Sequence, residues 1–227
     1  MIKIYKADRL EKEPVGLLLS LVALGVLSTS IAGLSEEIGA AVLQSLIPPE
    51  SLLYKAIVYF VIVGISEEGF KYLLLKIRTW NSPHFNCSFD GVVYSVFVSL
   101  GFALWENISY VLQYGLGTAI ARAITAVPGH ACFGVYMGVW YGIAKRYANA
   151  GLTADARRAR RNGLITAVLL HGMYDFIASM QNDLMSILFL VFVAWMFTRT
   201  IQLVKQASAE DGPLYAAVTN GSDYTEI

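Results

Sequence analysis

Charge is scarce in this chain. Lys, Arg, Asp and Glu make up 15% of its 227 residues and 56% are hydrophobic, whereas soluble domains carry about 25% charged residues. That balance excludes an ordinary soluble surface and points to a membrane protein. The 17 basic and 17 acidic residues cancel. No basic arm or aromatic-basic patch appears, which argues against nucleic acid as a partner. Cysteine is nearly absent: Cys87 and Cys132 make neither a disulfide framework nor a paired metal motif and read as free thiols. Also missing are the Gly-x-Ser-x-Gly elbow and the His-Glu-x-x-His zinc helix, and a Gly-rich phosphate loop. Standard serine, zinc-helix and nucleotide chemistries therefore lack their signatures. The two halves show no internal repeat of the kind that many transporters carry.

What is present is a series of apolar runs, each about the 20 residues that one bilayer crossing needs. The first covers residues 15–34, after a polar segment with charges of both signs. A cleavable signal peptide would have an apolar region of only about 7–15 residues, so the run reads as an uncleaved first span. Residues 38–47 are too short to cross and read as an interfacial segment. Further spans are expected at 52–77, 89–114, 118–147, 162–180 and 184–204. The fold class is therefore all-α, a polytopic transmembrane helix bundle of about six helices. Lys and Arg occupy the N-terminal segment, the 76–88 and 145–161 loops and the region after 199, while 35–51, 115–117 and 181–183 have none. This alternation fits six spans with both termini in the cytoplasm. Residues 1–205 read as one transmembrane domain and 206–227 as a polar cytoplasmic tail, disordered by composition.

The few intramembrane charges carry the argument further. Each costs about 2.5–3.5 kcal/mol at the centre of a membrane helix on insertion scales. The stretch Gly64-Ile65-Ser66-Glu67-Glu68-Gly69-Phe70-Lys71 holds three of them. Glu106, His130 and the pair His171 and Asp175 follow on later spans. Groups placed at that cost face one another across a bundle, so Glu67, Glu68, Glu106, His130, His171 and Asp175 are expected to share one polar cavity. Glu67 and Glu68 lie four and three residues before Lys71, so either can pair with it. An ion pair accounts for one glutamate and leaves the other as a candidate general base or acid. The i,i+4 geometry favours Glu67 as the paired residue and Glu68 as the base.

His171 and Asp175 stand one helical turn apart. That spacing suits two ligands of one metal, or a His oriented by a carboxylate; a local structural hydrogen bond is the plainer reading. Glu106 and Asn107 alone would serve equally as helix–helix hydrogen-bonding residues. His130 follows Pro128-Gly129, where a proline can bend the helix. Gly134, Gly138 and Gly142 recur every four residues and read as a close-packing face. Arg122, near the end of its span, reads as snorkelling to the interface. Counting about 1.5 Å per residue puts Glu68 nearer the cytoplasmic end and Glu106 nearer the outer end. Tilt, or a break of the second helix at Gly64, would bring them level.

Four pieces occur in order on successive spans: Glu67-Glu68-x-x-Lys71, Phe102-x-x-x-Glu106-Asn107, His130 after Pro-Gly, and His171-x-x-x-Asp175. Together they resemble the PrsW family of intramembrane proteases. Asp8 to Pro14 is similar to the acidic Glu-Pro element ahead of that family's first helix. The resemblance covers the chain from Asp8 to about Met180. It implies an intramembrane endopeptidase, related to CAAX-prenyl endopeptidases and bacteriocin-immunity membrane proteases, in which glutamates and histidines activate a water. It also implies a bacterial cytoplasmic membrane and site-one cleavage of a single-pass anti-sigma factor, which starts regulated intramembrane proteolysis.

On this resemblance the expected catalytic residues are Glu67, Glu68, Glu106, His130, His171 and Asp175, with Lys71 and Asn107 in support. His130, His171, Asp175 and Glu106 are the candidate ligands of one divalent metal, zinc first. Relatives have been argued to work with glutamate alone, so a metal-free mechanism stays open. The rival class is an ion-coupled transporter that uses the same Glu/His/Asp cluster. Expected partners are the lipid bilayer and, for a protease, a single-pass membrane protein substrate.

Overall fold

The structure is a computed structural model describing residues 1–180 and 182–214. It is all-α; among the described residues the only extended pairing is an isolated bridge between Cys87 and Pro213. A short helix, α1 (Ile2–Ala7), leads through Pro14 into α2 (Val15–Gln44). The 30 residues of α2 extend about 45 Å at 1.5 Å per residue. The segment expected at the interface, 38–47, continues the first helix as far as Gln44. No proline interrupts the helix before Pro48, so it runs on.

The second span begins at Ser51, whose hydroxyl accepts from Tyr54 N–H at 3.1 Å. It consists of α3 (Leu52–Ile57), a π-helical segment (Val58–Val63) and α4 (Gly64–Thr79). The break foreseen near Gly64 is thus a widened turn within one rod. α5 (Asp90–Tyr114) and α6 (Leu116–Asn149) meet at Gly115, whose φ of +82° favours glycine. α7 (Thr153–Ala178) starts nine residues before the expected 162, so Arg157, Arg158, Arg160 and Arg161 ride on its first turns. Ala and Arg are strong helix formers, and Arg160 stacks over the Trp80 ring at 4.5 Å.

α8 (Asp183–Ala209) also outruns expectation. Residues 210–214 beyond it are held: Asp211 Oδ1 accepts from Phe89 N–H at 2.8 Å, and Leu214 is buried. The polar tail expected from 206 is therefore helical to Ala209 and docked as far as 214, because Asp211 and Leu214 find partners on the 80–89 loop. Its remainder, 215–227, lies outside the described residues.

Six membrane-length rods result, with α5 at the centre. α2, α5 and α8 are long and apolar enough to cross a membrane by length and composition; the other three carry the charges. Leu19, Leu27 and Leu34 on α2, and Leu184, Ile187 and Leu190 on α8, remain exposed, as a surface facing lipid requires. Glycines let α5 sit close to both neighbours. A Cβ on Gly101 would run into the Val22 carbonyl of α2. One on Gly138 of α6 would lie 2.5 Å from Gly91 O and 2.6 Å from Val92 Cα. The spacing of Gly134, Gly138 and Gly142 is thus a close-packing face, as expected. Ser208 Oγ donates to Ala7 O at 2.5 Å, so the N-terminal segment and the end of α8 lie at the same end of the bundle.

Candidate active site

The site forms where α7 closes on the π segment. A Cβ at Gly172 would lie 2.6 Å from the Phe60 ring, and one at Gly64 would lie 3.2 Å from Val168 O. The missing side chain at Gly172 permits that approach, and a Cβ at Gly64 would crowd it; it carries the neighbouring His171 up to the glutamate pair. π turns of this kind recur at functional sites. Ser35 Oγ and Ser66 Oγ, 3.0 Å apart, tie α2 to α4 alongside.

Lys71 sits at the hub. Its Nζ donates to Glu68 Oε1 at 2.8 Å and Glu67 Oε2 at 3.2 Å, lies 3.1 Å from His130 Nδ1, and stands 3.8 Å above the Phe102 ring. An ammonium can only donate, so His130 Nδ1 accepts and its Nε2–H is left to donate to Glu106 Oε2, 2.9 Å away. Glu106 Oε1 in turn pairs with Arg122 at 2.7 Å, and Arg122 stacks on Tyr110 at 3.7 Å. His171 places Nδ1 2.9 Å from Glu68 Oε1 and Nε2 3.2 Å from Asp175 Oδ2; Glu67 Oε2 is 3.8 Å from Nε2. Phe133 stacks on the His171 ring at 4.8 Å and fixes its plane.

The six residues foreseen as one polar group are thus joined by contacts. The depth mismatch between Glu68 and Glu106 is bridged by His130, which reaches Lys71 with one nitrogen and Glu106 with the other. The glutamates take different places from those expected. Lys71 holds both and approaches Glu68 more closely. Glu68 is 0% exposed, whereas Glu67 lines a cavity of about 590 Å³ shared with Glu36, Glu106, Arg122 and Asp175.

Three further residues depart from expectation. Arg122 turns inward to Glu106 and does not snorkel. Asn107 is off the cavity wall, its Oδ1 buried without a hydrogen bond among the described residues. Glu36 enters the cavity unforeseen, because α2 continues past residue 34. Its carboxylate on a long apolar helix was the available signal.

Glu67, Glu68, His130 and His171 each offer one ligand atom within 4.8 Å of the others. This set shares His130 and His171 with the expected ligands and has Glu67 and Glu68 where Glu106 and Asp175 were expected. Glu106 and Asp175 instead bond the histidines from outside, as carboxylates that orient metal-bound imidazoles do. Two carboxylate oxygens and two imidazole nitrogens suit Zn²⁺. Glu68 Oε2 is also buried with no hydrogen-bond partner among the described residues. The donors fit a divalent ion, with Lys71 in contact with three of the four.

Bundle and site together define a helical membrane protein with a buried cluster of glutamates, histidines and a lysine enclosed among its helices. Residues 13–200 match the PrsW family intramembrane metalloproteases, and the chain belongs to that family. It is similar to the protein named Protease PrsW of Bacillus subtilis, at 39% identity over 142 residues, 61% of this chain and 62% of that one. The protein of the same name from Clostridioides difficile is 36% identical over 146 residues, 62% and 60% of the two chains. That from Geobacillus kaustophilus is 34% identical over 178 residues, 76% and 72%. The chain thus spans about three fifths of the length of the first two relatives. No solved structure matches it.

Proposed function

We propose that the chain is an intramembrane endopeptidase hydrolysing a peptide bond of a membrane-anchored protein. The observation that carries this reading is the convergence of Glu67, Glu68, His130 and His171 within 4.8 Å beside a cavity. Peptide hydrolysis needs a base within reach of a water next to the scissile carbonyl, and donors for the oxyanion. Glu67 is the base, since it alone of the pair lines the cavity. Glu68, enclosed between Lys71 and His171, holds both in position. Glu106 and Asp175 orient His130 and His171. Arg122, whose Nε makes no hydrogen bond among the described residues, is the donor on the cavity wall for a substrate carbonyl. A divalent ion on Glu67, Glu68, His130 and His171 would add Lewis-acid polarisation and a water with a pKa near 7.

The substrate is a single-pass protein of the anti-sigma type, cut near the extracytoplasmic face of a bacterial cytoplasmic membrane. The family resemblance supports this, as does a cavity lying at the end of the bundle away from the N-terminal segment and the end of α8. The contact between Ala7 and Ser208 supports termini on one side, and the Lys/Arg distribution makes that side cytoplasmic. Co-expression with a tagged single-pass substrate tests the reading. Wild type releases a fragment, and Glu67→Gln, still inserted and folded, does not. Loss of cleavage with a chelator and its return with Zn²⁺ would assign the metal; indifference to chelation would assign the glutamate alone. Ion flux in liposomes without cleavage would overturn the protease in favour of a carrier.

A further inference from the structure

A second group of buried charges lies at the opposite end of the bundle. Asp8, Glu13 and Asp90 are 2%, 2% and 1% exposed, with Glu11 and Asp211 beside them. The protein frame engages part of this group. Asp90 Oδ2 accepts from the N–H groups of Asn86 and Cys87 at 3.0 and 2.7 Å. Glu13 Oε2 accepts from Tyr94 Oη–H at 2.7 Å, and Asp211 Oδ1 from Ser88 Oγ and Phe89 N–H. The other oxygens are left over. Both of Asp8, Glu13 Oε1, Asp90 Oδ1, Asp211 Oδ2 and the amide oxygen Asn86 Oδ1 are buried with no donor group bonded to them among the described residues, and the Glu13 and Asp90 carboxyls lie within hydrogen-bonding reach of each other.

Lys12 stands near enough to Asp8 to favour its charge, but no Lys or Arg forms an ion pair with the group among the described residues. Lys12 gives its ammonium to the backbone carbonyls of Tyr5 and Asp8, and Arg146 donates to Ser88 Oγ. Residues 215–227 contain no Lys, Arg or His. Buried carboxylates without a counter-charge are strongly unfavourable.

We infer that this cluster binds a partly hydrated divalent cation, Mg²⁺, which fastens the N-terminal segment and the segment after α8 to the 80–89 loop. The donors are hard oxygens, which suit Mg²⁺ or Ca²⁺. Among the described residues the one set of three or more ligand side chains gathered closely enough to hold an ion directly is Glu67, Glu68, His130 and His171. Mg²⁺ keeps several waters and binds through one or two carboxylates, so it fits the wider spacing of the acidic cluster. Cys87 lies among these groups, but burial, then the carboxylates around it, push its thiol up to about 12. It stays a thiol and offers nothing to a softer metal.

Protonation is the competing way to neutralise the group, since burial raises Asp8 and lifts Glu13 to about 7. The cluster is separate from the candidate active site: Asp90 and Glu106 lie 16 positions apart on α5, about 24 Å at 1.5 Å per residue.

The test is the apparent melting midpoint of the full chain in detergent, titrated with MgCl₂ against NaCl of matched ionic strength. Mg²⁺ at 100-fold above its Kd should raise the midpoint by roughly 5–10 °C, and NaCl should not. Glu13→Gln and Asp90→Asn should each lose the rise, with Asp8→Asn as a further variant where either fails to fold. Glu67→Gln should keep it, which separates this cluster from the other donor set. The inference is overturned if Mg²⁺ acts no differently from NaCl; a midpoint that then climbs as pH falls from about 8 to about 6 would assign the neutralisation to shared protons instead. An equal Mg²⁺ response in wild type and all three cluster variants would overturn it too.

Discussion

Replacing Lys71 by Met keeps most of the side chain's length and apolar stem and removes its ammonium. Lys71 is 1% exposed and holds Glu68 at 2.8 Å, Glu67 at 3.2 Å and His130 at 3.1 Å. Without it, two buried carboxylates keep only His171 as a nearby partner. Removing one member of a buried ion pair costs about 3–5 kcal/mol. Each kcal/mol moves the midpoint of a chain this size by about 2–4 °C, so Lys71→Met should lower it by roughly 6–20 °C. Most of that loss is a stranded carboxylate, so neutralising the right one should recover part of it. Glu68 has the shorter contact and no exposure, whereas Glu67 opens onto the cavity. Glu68→Gln should therefore rescue Lys71→Met better than Glu67→Gln does, with a larger coupling in a range of about 0.5–3 kcal/mol. Midpoints of the wild type, three single and two double variants, by tryptophan fluorescence in one detergent, measure it. Larger coupling to Glu67, or a Lys71→Met protein that melts like wild type, would refute the reasoning.

Gly172→Leu places a side chain where a Cβ already lies 2.6 Å from the Phe60 ring. The variant should insert normally yet lose about 100-fold in cleavage, as α7 and His171 are pushed off the glutamates. Gly138→Val meets backbone, with Gly91 O at 2.5 Å; it should cost at least about 1–3 kcal/mol, read as a lowered midpoint. For topology, a cysteine at Ala150 should label only from the cytoplasmic side, and reaction with an impermeant reagent outside the cell would reverse the orientation.

The number of long helices, their approximate places and the helical pairings were legible in the sequence because each depends on local spacing. Apolar run length reports bilayer thickness. An i,i+4 step brings His171 Nε2 within 3.2 Å of Asp175, and glycines four apart make a groove on α6 whatever the rest of the chain does. Boundaries were less legible. α2 and α7 run past their expected limits because a charged stretch can be helical as readily as an apolar one.

Only the tertiary structure decided which glutamate meets the cavity, that His130 links Lys71 to Glu106, and that Arg122 and Glu36 turn inward. Adjacent helical residues point about 100° apart, and a helix's rotation and depth are set by its neighbours. Here those neighbours act through the contacts of Gly172 with Phe60 and Gly101 with Val22. The acidic group formed by Asp8, Glu13, Asp90 and Asp211 was equally hidden. Its members are scattered over some 200 positions of sequence and meet because the first segment, the 80–89 loop and the residues after α8 close on the same end of the bundle.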